Sequence, residues 1–158
     1  MNTPPNPNVA NDRPEYPIPG VGILIMRQTV RGQEVLLGER QGSHGTGEFG
    51  GPGGKVEFGD TIEETVLKEI EEECGPDLKI TDLQMLCVSD LMDYLPEKHF
   101  VDIGFTATYV SGEARVTEPD KLVAWNWYQV DDLPAPLFGC CENYFEALRT
   151  GQYYFPAS

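Results

Sequence analysis

The sequence predicts an α/β protein of the mixed α+β kind: one mixed sheet with a helix early in the chain and a second helix at its end. Three observations carry that expectation. Short apolar runs such as residues 21–26 have the length of buried strands. Residues 60–75 show helical periodicity between a capping residue and a Gly-Pro stop. Residues 138–149 give a second helical pattern, ending at Gly151.

Taken in order, residues 1–15 are rich in Pro and Asn and read as a flexible tail before a domain over 16–158. Val21-Gly22-Ile23-Leu24-Ile25-Met26 suits a buried strand, Arg31-Gly32-Gln33 a turn, and residues 34–40 a second strand paired with the first. Eight glycines between Gly42 and Gly59 mark a long loop in which backbone passes close to something. Asp60 or Thr61 is the expected N-cap, with Glu63 and Glu64 in the first turn and Gly75-Pro76 closing the helix after Cys74. Residues 78–92, 100–110 and 122–130 read as strands, with Trp125 and Trp127 on one face of the last. No internal repeat is present.

Composition narrows the class. With 158 residues, 40% hydrophobic and 23% charged, the chain reads as one folded domain. No apolar run reaches the roughly 20 residues that span a bilayer. The N-terminus lacks the basic and apolar regions of a secretory signal, so a cytoplasmic location is expected. A formal net charge of −15, from 26 acidic and 11 basic residues, opposes binding of a nucleic-acid polymer. A small anionic substrate fits only if a bound cation inverts the local charge. Cys74, Cys87, Cys140 and Cys141 form no C-x-x-C pair and are expected to be reduced.

The informative segment is D-T-I-E-E-T-V-L-K-E-I-E-E-E-C-G over 60–75. At about 100° per residue, Ile62, Val66 and Ile70 form one apolar stripe, widened by Leu67 and Cys74. Glu73 falls between Ile62 and Val66 on that wheel, Glu69 lies just outside Ile62, and Glu72 flanks them. Charge alone favours a solvated acidic face, and Glu63, Glu64 and Glu71 fit it. Glu69 and Glu73 do not. Gathering half-buried carboxylates costs several kcal/mol each unless something neutralises them. A hard divalent cation does so, and the i, i+3, i+4 spacing puts Glu69, Glu72 and Glu73 within reach of one site. The rival reading of the glycine loop as a P-loop fails, because Val56 follows Gly54-Lys55 where Ser or Thr is needed.

Residues 54–75 resemble the Nudix box, G-x5-E-x7-R-E-U-x-E-E-x-G-U, with U an aliphatic residue. Gly54, Glu69, Ile70, Glu72, Glu73 and Gly75 match; Asp60, Lys68 and Pro76 stand where the pattern has Glu, Arg and an aliphatic residue. Lys68 lacks the planar fork of Arg, so a looser salt bridge is expected there. Beyond the box, L-L-G-E-R-Q-G-S, E-P-D-K, W-N-W and L-P-A-P-L-F resemble a MutT-like branch that includes human MutT homologue 2 and a cytosolic plant hydrolase of 8-oxo-dGTP and geranyl diphosphate. That branch carries Trp after the last Leu-Phe, where this chain has Gly139, which leaves a base-stacking wall open.

The resemblance implies a Nudix α-β-α sandwich with a catalytic loop-helix, and a homodimer. It implies Mg²⁺-dependent hydrolysis of a nucleoside triphosphate, 8-oxo-dGTP or another dNTP, to monophosphate and pyrophosphate, with Mn²⁺ able to substitute. The metal ligands would be Glu69, Glu72, Glu73 and the carbonyl of Gly53, and Glu69 or Glu72 the general base. Arg40, Gly54, Lys55 and Phe138 are the candidate substrate contacts. For Arg40 a phosphate clamp competes evenly with a surface ion pair, and for Phe138 a base contact with a core aromatic. Glu57 reads equally as an outer ligand or a solvated loop carboxylate. Asp102 reads first as an edge-strand surface charge and second as an acceptor in the cleft. His44 and His99 receive no role. The alternatives kept open are another X-diphosphate, such as an isoprenoid diphosphate, nucleotide sugar or dinucleotide, and a catalytically silent nucleotide sensor.

Overall fold

The structure, a computed structural model, describes residues 16–157; the tail expected over 1–15 lies outside them. In chain order the elements are β1 (Ile18–Thr29), β2 (Gly32–Arg40), β3 (Phe49–Gly50), β4 (Gly53–Lys55), α1 (Ile62–Cys74), β5 (Lys79–Leu91), β6 (Phe100–Ser111), β7 (Leu122–Gln129), α2 (Cys141–Thr150) and β8 (Tyr154–Phe155). One mixed sheet runs β3-β2-β1-β6-β5-β8, with β4 added to β1 and β7 to β2.

β1 is the spine. Val21, Ile23 and Ile25 enter one core and Leu24 and Met26 the other. A strand covered on both faces needs apolar residues at both parities, which is why 21–26 reads as an unbroken run. α1 covers the first face with Val66, Ile70 and Cys74, and α2 the second with Cys141, Tyr144 and Ala147. The result is the α-β-α sandwich the sequence led us to expect.

The site originates where this sheet splits. β2 leaves β1 through a two-residue turn and pairs with it only over Met26–Thr29. β4 takes the vacated edge, with Val21 opposite Gly54 and Gly22 opposite Gly53. Parallel β6 accompanies the other edge from Ile18 to Met26. The backbone crowds here: a Cβ on Gly51 would strike the Ile23 carbonyl, and one on Gly53 the Val21 carbonyl. The glycines thus allow a short strand to slot against β1.

Four local expectations need correction. The glycine-rich stretch is not one continuous loop, since β3 and β4 lie inside it. Two or three residues carry no period, so pairing alone reveals them. β8 went unseen for the same reason. On α1, Ile62 is 39% and Leu67 52% exposed, whereas Thr65 is only 2% exposed. The Thr65 hydroxyl donates to the Thr61 carbonyl, which lets it be buried and turns the inward stripe to Thr65, Val66, Ile70 and Cys74. Lastly, α2 starts at Cys141, not at Phe138.

Candidate functional site

A cleft of ≈ 580 Å³ opens at the split. Its walls are the start of β1, the glycine-rich segment, the flank of α1, the β6–β7 connection and the segment leading into α2. Glu69, Glu72, Glu73, Gly53, Gly54, Arg40, Lys55 and Phe138 all line it, so the fold gathers the whole set singled out in the sequence.

α1 is aimed by its caps. Thr61 accepts from the Glu64 amide, and the Glu64 carboxylate accepts from the Thr61 amide, a complete capping box. At the other end the β6–β7 connection and β7 together supply three donors to the last carbonyls. Thr117 Oγ1 donates to Glu72, Trp125 Nε1 to Glu73 at 3.0 Å, and the Arg115 amide to Cys74 at 2.9 Å. The helix bearing the glutamates is therefore strapped to the β6–β7 connection and to β7.

The carboxylates differ in setting. Glu72 is exposed, while Glu69 and Glu73 are half-buried. Burial, then the neighbouring Glu72 charge, pushes Glu69 up to about 7. Burial, then Glu69, pushes Glu73 up to about 8, against the pull of the Gly53 amide, which donates to Glu73 Oε2 at 3.2 Å. Gly54 is the cradle for Glu69: a Cβ there would occupy the position of its carboxylate. Among the described residues no three His, Cys, Asp or Glu side chains converge into a ready metal nest. The donors nevertheless fit a hard divalent ion, being half-buried carboxylates that repel one another and, among the described residues, form no direct ion pair, although Lys68 and Arg40 act on them from a distance.

The cationic side is Arg40. Its guanidinium lies over the Phe138 ring, 3.7 Å from the centroid, and its Nε donates to the His44 carbonyl. Among the described residues Arg40 forms no ion pair, so the surface-pair reading gives way to a cation held in the cleft. Phe138 is both platform and wall. Lys55 is exposed at the rim. Glu57 stands outside the cleft and pairs with Lys68 at 3.2 Å, and Asp60 does so at 3.4 Å. The expected salt bridge is present but exposed, and therefore weak.

Two carboxylates were undervalued or missed. Asp102 is not an edge charge: β6 lies between β1 and β5, and Asp102 is half-buried in the cleft, accepting from the Tyr144 hydroxyl. Its neighbour on β1 is a glycine, a cue for room that sequence alone leaves ambiguous. Glu118, inside E-P-D-K, faces the cleft and helps raise both Glu69 and Glu73. No periodicity marks it, because it stands in a loop. Gly139 also lines the cleft, with a φ of 59° and nothing within 4 Å of a Cβ placed there.

Comparison with known proteins adds the following. The NUDIX domain family matches residues 17–144. An NAD-capped RNA hydrolase NudC of Photorhabdus laumondii is 35% identical over 116 residues, covering 73% of this chain and 42% of that protein. An ADP-ribose pyrophosphatase of Methanocaldococcus jannaschii is 33% identical over 105 residues, 66% of this chain and 60% of that protein. The chain thus spans less than two thirds of the length of these curated relatives. Among solved structures, a MutT NUDIX hydrolase of Burkholderia pseudomallei superposes with a TM-score of 0.76 at 36% identity, covering 85% of this chain and 99% of that one. The NUDIX domain of Shewanella oneidensis NrtR, solved with ADP ribose, superposes at 0.73 with 19% identity over 90% and 92% of the two chains, a likeness of fold.

Proposed function

This chain belongs to the Nudix family, and from that premise we propose that it hydrolyses the diphosphate linkage of a nucleotide, a nucleoside triphosphate first of all, to monophosphate and pyrophosphate. 8-Oxo-dGTP or another dNTP is the substrate carried forward from the MutT-like resemblance. The observation that supports the reading best is that one cleft holds two half-buried carboxylates, Glu69 and Glu73, and a cation, Arg40, that forms no ion pair among the described residues.

Glu69, Glu72 and Glu73, with the Gly53 carbonyl, would hold Mg²⁺, with Mn²⁺ as a substitute. When bound, the ion neutralises phosphate charge and makes a coordinated water more acidic. The protein's own residues divide the remaining work. Arg40, held on Phe138, binds a phosphate oxygen, and Lys55 adds charge at the rim. The Gly53 amide fixes Glu73, and the strap at Thr117 and Trp125 fixes the helix behind it. Glu69 or Glu72 takes the proton of the attacking water, both carboxylates lining the cleft beside the proposed ion. The water oxygen bonds to phosphorus, the bridging P–O bond breaks, and the bridging oxygen leaves on pyrophosphate.

A second reading, hydrolysis of another X-diphosphate such as ADP-ribose, is favoured by the 33% identity to an ADP-ribose pyrophosphatase and by the open space at Gly139. The similarity to NAD-capped RNA hydrolases also withdraws the grounds for excluding a capped RNA end as substrate. The intact carboxylate set favours an enzyme over a silent sensor. A Mg²⁺-dependent assay over dNTPs, 8-oxo-dGTP, ADP-ribose, a nucleotide sugar, geranyl diphosphate and a capped RNA decides. Pyrophosphate released from a triphosphate supports the first reading, and its absence with cleavage of ADP-ribose installs the second. The homodimer that the resemblance implies is checked by sedimentation.

A further inference from the structure

The proposed chemistry uses the α1 side of the cleft and leaves Asp102 without a task. Its setting is costly to build. Asp102 leaves β6 toward α2, on the face where Tyr144 packs, while Glu69 and Glu73 come from the α1 side. Tyr144 reaches it only because Gly22 and Gly104 have no side chain: a Cβ on Gly22 would meet the phenol oxygen, and one on Gly104 would lie 2.6 Å from the ring. Tyr144 donates to Asp102 Oδ2. The other oxygen, Oδ1, looks past Gly20, where even an added Cβ would stay 4.0 Å away. The remaining groups facing the carboxylate are the thiols of Cys87, Cys140 and Cys141, of which Cys140, a weak donor, also hydrogen-bonds to it. No Lys or Arg pairs with it among the described residues.

A polar group half-buried and under-partnered is costly unless a ligand answers it. The surrounding wall says what kind of ligand. Phe100 and Tyr94 stand edge to face with centroids 5.9 Å apart, and together with Phe138 they line the same cleft as Asp102. Flat aromatic walls around one fixed acceptor fit a heteroaromatic ring with N–H groups on its edge.

We propose that Asp102 is the base-reading residue of this cleft, its Oδ1 accepting from an N–H donor on the edge of a purine such as guanine or adenine. The proposal deepens the nucleotide reading above and rests on it. Selection follows from hydrogen-bond inventory: a carboxylate only accepts, so it favours edges with amino or ring N–H groups and rejects edges that carry acceptors alone. Burial raises Asp102 to about 6, which still leaves it an acceptor at neutral pH.

The test reads binding rather than turnover, so it stands apart from the hydrolysis assay. GMP, AMP and purine riboside monophosphate, whose ring edge has no donor, are titrated calorimetrically into the full chain without metal. The wild type is expected to bind GMP or AMP about tenfold more tightly than the unsubstituted purine. In Asp102→Asn the amide oxygen must serve Tyr144, which turns the NH₂ donor toward the ligand, so the preference falls to parity or inverts. Tyr144→Phe removes the phenol but keeps the acceptor, and the preference persists. A purely structural Asp102–Tyr144 pair would make the two variants behave alike. Equal binding of all three ligands by the wild type, absence of binding, or an unchanged ratio in Asp102→Asn overturns the proposal. Failure of the hydrolysis panel would instead strike the activity.

Discussion

At the scale of single residues the cleft separates charge from geometry. Glu73 is the most constrained carboxylate: its Oε2 takes the Gly53 amide and its own carbonyl takes the Trp125 indole. Glu73→Gln keeps the oxygen that Gly53 needs but removes the charge. The expected outcome is loss of turnover with the thermal midpoint kept; a variant that still turns over at the wild-type rate would remove Glu73 from the metal assignment. Gly54 probes position instead of charge. An Ala Cβ would intrude on the Glu69 carboxylate, so Gly54→Ala should displace Glu69 and lower kcat by about 100-fold, the scale on which ~1 Å misplacements act. Unchanged kcat would show that Glu69 does no work at that position.

At the scale of elements, α1 shows how an end decides a site. The capping box at Thr61 and Glu64 starts the helix one residue before its first turn, and the strap at Glu72, Glu73 and Cys74 holds its end. Thr61→Ala removes the side-chain acceptor for the Glu64 amide and should cost about 1 kcal/mol. For a chain of this size that is a midpoint lower by about 3 °C in calorimetry, with kcat changed far less. A drop in kcat without a drop in midpoint would mean that the cap orients the glutamates. The same helix marks what the sequence made legible. Cap, length and carboxylate spacing are local and were readable; the inward stripe was misjudged because burying Thr65 depends on a hydroxyl bond to Thr61. β3, β4 and β8 were invisible because they exist only through partners on β2, β1 and β5. Glu118 and Asp102 escaped for a related reason. Which side of a strand or loop meets the cleft is set by the departure of β2 from β1, which no residue pattern announces.

At the scale of the whole molecule the net charge of −15 and the three raised carboxyls act in one direction. Burial puts Asp102 at about 6, Glu69 at about 7 and Glu73 at about 8, against ordinary values of 3.8 for Asp and 4.5 for Glu. Each folded-state value is the higher one, so without metal the folded protein holds these protons more tightly than the unfolded chain. Stability must then fall as pH rises from about 4 to about 8 and level off above it, and self-repulsion among ionised carboxylates deepens the fall. A divalent ion opposes this because its ligands bind in the deprotonated form. Calorimetry of metal-free protein should therefore give a higher midpoint near pH 5.5 than near pH 8. Saturating Mg²⁺ should raise the midpoint more at the upper pH than at the lower, since ion binding competes with fewer protons there. A metal-free midpoint that climbs over this range would mean that these carboxyls are not raised in the folded protein, and a Mg²⁺ increment independent of pH would mean that the ion binds elsewhere.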